Sequence, residues 1–162
     1  MITTLFFDFS YTLLFPKDPK YNDSLNKLYK KLKSNEDFKI YEYYHLNGEV
    51  LEFLKTIKDK FNLYIFTSGS IQEDSEIDKL LSPIFKEIFT ASKLGISKID
   101  PNSYLTLAKQ LNIPPEETLF IDDTEENVNT AKQAGLNVIL YKSNSDLFTK
   151  LKEFHINSLP NF

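Results

Sequence analysis

At 162 residues with 41% hydrophobic content, the chain is long enough to bury about two-thirds of its unfolded surface, which predicts a single domain over residues 1–162. It has no cysteine, which excludes disulfides, zinc–thiolate sites and thiol nucleophiles and points to the cytoplasm. A net charge of −4, with all 19 basic residues lysine, argues against nucleic-acid binding and leaves anions to lysine, backbone amides, hydroxyls or metal.

Leu5, Phe6 and Phe7 are an apolar run without helical period, the pattern of a strand buried on both faces of a parallel sheet. Asp8 stands where that strand ends, and Ser10 and Thr12 follow into the turn. No basic segment precedes the run and Asp8 interrupts it, so neither a signal peptide nor a membrane span is expected. Phe15 to Pro19, with two prolines, should leave the sheet as a loop. Leu25, Leu28, Tyr29 and Leu32 share one face of a helix expected over Asn22 to Lys33. The aromatic stretch Phe38 to Tyr44 reads as a short strand, a lid or a partner patch, with rings that simply cover the core as the favoured reading.

Val50, Leu51, Phe53, Leu54 and Ile57 mark a helix to about Lys60 that feeds a strand over Leu63 to Phe66, ending in Thr67, Ser68 and Gly69. A helix over Glu73 to Leu81 and a short strand over Ile88 to Thr90 follow. Asp100 and Pro101 fit the N-cap and first position of a helix reaching Leu111. The strand Leu119 to Ile121 stops at paired acids, Asp122 and Asp123, before a helix from Glu125 to Ala134 with Gly135 beyond its last turn. A strand over Val138 to Tyr141 and a helix over Asp146 to Phe154 complete the pattern, and the tail Asn157 to Phe162 is expected to be loose unless Leu159 or Phe162 docks.

Strands alternating with helices give an α/β fold, a Rossmann-like doubly wound parallel sheet with helices on both faces. Three of its strands end in polar groups. Ligands of such sheets sit beyond the carboxyl ends of the strands, so Asp8, Thr67–Ser68 and Asp122–Asp123 are candidates for one site. Adjacent acids without a cation repel and raise a pKa, so the pair is best explained around a metal.

In order, these features resemble the haloacid dehalogenase superfamily, which consists mostly of phosphatases. The first motif resembles Asp8-Phe9-Ser10-Tyr11-Thr12-Leu13, the second is the strand ending Thr67-Ser68-Gly69, the third is Lys98 in GISKIDP, and the fourth is Ile121-Asp122-Asp123 with Glu125, Glu126 and Asn127 after it. The resemblance implies that Asp8 is a nucleophile forming an aspartyl-phosphate, and that Mg²⁺ is held by Asp8, the Ser10 carbonyl, Asp122 and Asp123, with Asp122 in direct contact. It further implies that Thr67, Ser68 and Lys98 take the phosphoryl oxygens, with Lys93 as the rival lysine. The second motif-one acid, the usual general acid and base, is Ser10 here. The implied activity is a Mg²⁺-dependent phosphatase or phosphotransferase on a phosphorylated substrate, weakened or specialised by Ser10, and the alternative is a non-catalytic binding relative. The cap insertion, about residues 17–45, is small, which would leave the site open to a large, even macromolecular, substrate. His45 and His155 are read as ordinary surface or capping residues.

Overall fold

The computed structural model describes residues 1–157. The expectation for the tail, Asn157 to Phe162, falls on residues 158–162, outside the described ones. In chain order the elements are β1 (Thr4–Phe7), β2 (Leu14–Pro16), α1 (Leu25–Leu32), α2 (Ile40–Tyr43), β3 (Tyr44–Leu46), α3 (Gly48–Ile57), β4 (Asn62–Thr67), α4 (Ser75–Leu81) and β5 (Glu87–Thr90). Then come α5 (Ala91–Leu94), α6 (Pro101–Gln110), β6 (Thr118–Asp122), α7 (Glu125–Gln133), β7 (Asn137–Leu140) and α8 (Asn144–Glu153).

Five strands make a parallel sheet in the order β5-β4-β1-β6-β7, the Rossmann-like arrangement expected from the alternation. The chain leaves β1 on one side to build β4 and β5, then returns to its other side for β6 and β7. The topological switch therefore lies between β1 and β6, where a crevice opens at the strand ends.

Strand periodicity sorts the core into two layers. Leu5, Phe7, Leu63, Ile65, Leu119 and Ile121 point to one face, where α1, α3, α4 and α8 pack with Leu25, Leu54, Ile77 and Leu151. Phe6, Tyr64, Phe66, Phe89 and Phe120 point to the other, where they meet Tyr104 and Leu107 of α6 and Ala131 of α7. Both faces are covered, which is why the strand sequences run apolar without alternating.

The helix starts follow local chemistry. Ser24, Asn47, Asp74, Asp100 and Ser143 each turn a side-chain oxygen onto a backbone amide of the first turn. Gly135, with φ +88°, ends α7 in the left-handed conformation expected of it.

Two local readings need correction. Phe15 to Pro19 does not run as loop throughout, because Leu14–Pro16 forms β2 and pairs antiparallel with β3. The pair has only two strands, and Pro16 sits at its end, where a missing amide costs little. Within the stretch Phe38 to Tyr44, Ile40–Tyr43 forms α2 and Tyr44 opens β3. Ile40 and Tyr44 are buried while Phe38, Tyr41 and Tyr43 pack against the core from the edge, as the core-covering reading expects. No helix among the described residues is long and apolar enough to cross a membrane.

Candidate active site

Phe7 lies level with Ile121 in the parallel register, so the next residues, Asp8 and Asp122, leave adjacent strands side by side. The Asp8 amide donates to the Ile121 carbonyl at 2.8 Å and keeps the strand ends together through the last rung. Beyond Asp8 the chain folds into a tight turn. The Phe9 carbonyl accepts from the amides of Leu13 and Leu14 at 2.9 Å, and Tyr11 adopts φ +59°, a strained conformation for a bulky residue. The Ser10 carbonyl accepts none of the turn's backbone hydrogen bonds, and the Ser10 hydroxyl is buried without a partner among the described residues.

Lys98 reaches this point from the loop between α5 and α6. Its ammonium donates to Asp8 Oδ1 at 2.6 Å and contacts Asp122 Oδ2 at 2.5 Å, and only 5% of the residue is exposed. The rings of Phe66 and Phe120 flank the ammonium with centroids at 5.7 and 5.3 Å. The Tyr104 hydroxyl donates to the Lys98 carbonyl at 2.8 Å and fixes the backbone that carries it. The rival, Lys93, is exposed and pairs with Glu73 at 2.7 Å, away from the cluster.

The two motif-four acids differ in a way the sequence did not show. Asp122 is fully buried and both of its oxygens are taken: Oδ1 by the Thr124 amide at 2.7 Å, Oδ2 by Lys98 and by the Asn127 amide nitrogen at 3.1 Å. Asp123 is half-buried and lines the cleft, whereas Asp122 does not. Asp123 is thus the acid that faces the cleft, and Asp122 the one that holds Lys98. Asp123 does not cap α7, whose N-cap residue Thr124 donates its amide to Asp122.

Asp8, Asp122 and Asp123 bring carboxylate oxygens within 4.8 Å of one another. Burial pushes Asp8 up to about 7, with Lys98 opposing and Asp122 adding to the rise. Burial and then the charge of Asp122 push Asp123 up to about 6. Burial works against the charge on Lys98, but the Asp8 and Asp122 carboxylates outweigh it and its pKa rises. Three acids face one lysine in this cluster, and burial holds Asp8 and Asp123 above the usual carboxylate range.

The cleft has a volume of about 180 Å³. Thr67, buried at the end of β4, and exposed Ser68 form one wall beside Asp8 and Lys98. Every sequence-predicted site residue except Asp122 lines the cleft, and Asp122 lies one contact behind Lys98. His45 stands outside it, exposed on β3 with its ring 5.8 Å from Phe15. Sequence reasoning missed the supports of Lys98, namely Tyr104 and the Phe66–Phe120 pair, and the part of the cleft lining that Tyr11, Ser24, Leu25 and Asn26 supply.

Replacing Lys98 by Met is expected to leave the acids uncompensated and to destabilise the protein at pH 8 by about 3–5 kcal/mol. That corresponds to a fall in Tm on the order of 10 °C. Thermal unfolding at pH 5 and pH 8 checks it, because protonation of the acids at the lower pH should recover part of the loss.

A family model for haloacid dehalogenase-like hydrolases matches residues 8–135. Enolase-phosphatase E1 of Aquifex aeolicus is 35% identical over 104 residues, 58% of this chain and 44% of that protein. Flavin mononucleotide hydrolase 1 of Arabidopsis thaliana is 32% identical over 121 residues, 73% of this chain and 49% of that protein. The chain spans less than half the length of these curated relatives. Among solved structures, a HAD-like family hydrolase from Porphyromonas gingivalis aligns with a TM-score of 0.70 at 16% identity, over 98% of this chain and 100% of that one. The magnesium complex of a HAD-family enzyme from Bacteroides thetaiotaomicron aligns with a TM-score of 0.68 at 14% identity, over 93% and 98%. These two alignments carry the fold, while the match from Asp8 through Gly135 spans the four motifs in order: the chain belongs to the haloacid dehalogenase-like hydrolases.

Proposed function

We propose that this hydrolase is a Mg²⁺-dependent phosphatase or phosphotransferase that works through an aspartyl-phosphate on Asp8. The observation that carries the proposal is a nucleophile-type carboxylate at the switch point of the sheet, gripped by a buried lysine and gathered with two further acids. The relatives named as an enolase-phosphatase and a flavin mononucleotide hydrolase support phosphate esters as the substrate class.

The residues fit a hard divalent cation. The donors are all oxygen, the three clustered acids outnumber the one lysine, and Asp8 and Asp123 are raised by burial and by the charge of Asp122, so the cluster is short of positive charge. Asp8, Asp123 and the Ser10 carbonyl would hold the ion. Bound there, Mg²⁺ supplies charge neutralisation for the phosphoryl group.

The remaining work falls to the chain. Thr67 and Ser68 offer hydroxyls and amides to the phosphoryl oxygens, and Lys98 offers positive charge. An Asp8 oxygen forms a bond to phosphorus as the ester oxygen leaves with its electron pair, and water later cleaves the acyl phosphate to return Asp8 and free phosphate. Asp122 holds Lys98 in place. The insert of residues 17–45 acts as a reduced cap, because Ser24, Leu25 and Asn26 at the start of α1 line the cleft.

Ser10 favours a second reading, a non-catalytic relative that binds metal or phosphate, because a hydroxyl is a poor general acid or base near pH 7. Incubation with Mg²⁺ and a panel of phosphate esters separates the two, following phosphate released to solution and phosphate retained on the protein. Release or retention supports the enzyme, and silence on both supports the binding module. Calorimetric titration tests the metal: Asp8→Asn with Asp123→Asn is expected to weaken Mg²⁺ binding at least about tenfold, and an affinity equal to wild type removes the ion from the proposal.

A further inference from the structure

We infer that Asn26 reads the leaving portion of the substrate, hydrogen-bonding a polar group carried next to the phosphate ester; this rests on the phosphoryl-transfer reading of the cleft. The first observation is the contact with Gly69. A Cβ built on Gly69 would fall 1.8 Å from Asn26 Oδ1 and 2.3 Å from Nδ2, so the amide lies directly on the backbone that follows Thr67 and Ser68. Gly69 does not have a left-handed φ, so its missing side chain serves close approach alone.

The second observation is that this close contact is not a hydrogen bond. The Gly69 carbonyl is taken by Gln72 Nε2 at 2.7 Å, and the neighbouring Ser24 hydroxyl is taken by the Lys27 amide. Asn26 is half-buried and lines the cleft, and its amide has no hydrogen-bond partner among the described residues. A side chain with two donors and an acceptor thus lines a phosphate-sized cleft with no hydrogen-bond partner among the described residues.

The third observation is rigidity. Leu25 and Tyr29 bury the inner face of α1, while the Tyr11 and Tyr21 hydroxyls donate to the carbonyls of Asp23 and Ser24 at 2.7 and 2.9 Å. The turn that presents Asn26 is therefore tied to the core on both sides. Rigid presentation lets one hydrogen bond discriminate.

In-line attack fixes the direction of the substrate. Asp8 stands at the strand end, so the departing oxygen leaves on the side away from Asp8, and the assignment of Asn26 takes it toward the first turn of α1, which shares the cleft. The group Asn26 meets is therefore the part of the leaving group nearest the ester. The substrate class is an organic phosphate with a hydroxyl, carbonyl or amide within one or two bonds of the ester carbon, and an apolar isostere should be handled less well. One neutral hydrogen bond gives a preference of about 3–10-fold.

The test uses two aryl esters that differ in that group alone, 2-(hydroxymethyl)phenyl phosphate and 2-methylphenyl phosphate, assayed with Mg²⁺. Wild type should favour the hydroxymethyl ester in kcat/KM by about 3–10-fold, and Asn26→Ala should bring the ratio close to 1. Gly69→Ala, which pushes the amide away from the other side, should do the same. Lys27→Ala, on the exposed side of the same helix, should keep the wild-type ratio. The corresponding non-hydrolysable phosphonates give the same comparison as a ratio of Kd values by calorimetry. If wild type turns over neither ester but the Kd ratio is present and is lost in Asn26→Ala, the assignment of Asn26 stands and the phosphatase reading falls. A ratio unchanged by Asn26→Ala in a folded protein, in turnover or in binding, overturns the assignment.

Discussion

Asp8→Asn is expected to reduce phosphoryl transfer by roughly 10⁴-fold or more and, in the absence of metal, to stabilise the protein at pH 8. The first effect follows because an amide nitrogen bears no lone pair able to attack phosphorus. The second follows from burial. Desolvation raises Asp8 to about 7 against the pull of Lys98, so the folded, metal-free protein holds a proton that the unfolded chain has already released. Between about pH 4 and pH 7 the native state binds more protons than the unfolded state, and stability falls as pH rises through that window. The contribution is fully present below about pH 4 and lost above about pH 7. Asn mimics the neutral acid at every pH and escapes the loss, while Lys98 keeps Asp122 as a partner at 2.5 Å. The advantage of Asp8→Asn in chelator should grow from pH 5 to about 1–3 kcal/mol at pH 8. Saturating Mg²⁺ should then narrow it, because the ion binds folded wild type more tightly. Thermal scans from pH 5 to pH 8, with chelator and with Mg²⁺, check this. A variant less stable than wild type at pH 8 in chelator would show that the Asp8–Lys98 pair outweighs the burial of the carboxylate.

Much of this site was legible in the sequence because strand ends are legible. Apolar runs such as Leu5–Phe7 and Leu119–Ile121 must lie in a doubly covered sheet, and the polar residue that stops each run must then stand at the carboxyl edge. Asp8, Thr67 and Asp122 could be placed together on that argument. Which of Asp122 and Asp123 faces the cleft was not legible. Adjacent residues at a strand end turn to opposite sides, and the register with β1, which sets Phe7 against Ile121, decides which one is sealed behind Lys98. Lys98 differed from Lys93 only through its motif context, and burial separates them now: one lies between two carboxylates, the other in an exposed pair.

What the sequence hid depends on long-range contact. The β2–β3 pair joins Leu14–Pro16 to Tyr44–Leu46 across an insert whose prolines signal a loop, and no local pattern announces a two-stranded ribbon of three residues a side. The four-residue helix α5 is too short to show periodicity. Tyr104 carried no signal in the sequence beyond its place in the helix after Pro101. Its hydroxyl is useful only because α6 sets it under the Lys98 carbonyl and within 3.3 Å of the Asn127 carbonyl, so that one side chain braces two site loops. Asn26 offered no signal, being one polar residue on the lysine-rich side of α1, and its position over Gly69 exists only in the folded chain.

Ser10→Asp is expected to raise turnover of alkyl phosphate esters by up to about 10²-fold, the lower end of general acid–base effects. When Asp8 attacks, the ester oxygen gains negative charge as it leaves, and Ser10 cannot donate a proton to it at a useful rate. Sugar-type alkyl esters should therefore react slowly in wild type, while aryl and acyl phosphates, whose oxygens leave readily as anions, should still phosphorylate Asp8. The second step suffers too. With no base to activate water, the aspartyl-phosphate should accumulate and be visible by intact mass after rapid acid quench. The position suits the substitution, because Ser10 lines the cleft beside Asp8 and its hydroxyl makes no hydrogen bond among the described residues that the change would break. The gain is limited because a further carboxylate enters a cluster that already has three acids to one lysine, which pushes its pKa up and favours the acid role over the base role. Alkyl esters should thus gain more than aryl esters in the first step, and the phosphorylated intermediate should shorten its lifetime less than it speeds its formation. Stopped-flow and quench kinetics on one alkyl and one aryl ester measure both steps. If the folded, Mg²⁺-binding variant leaves both ester classes as inactive as before, catalysis is not what this cleft performs, and the binding-module reading replaces it.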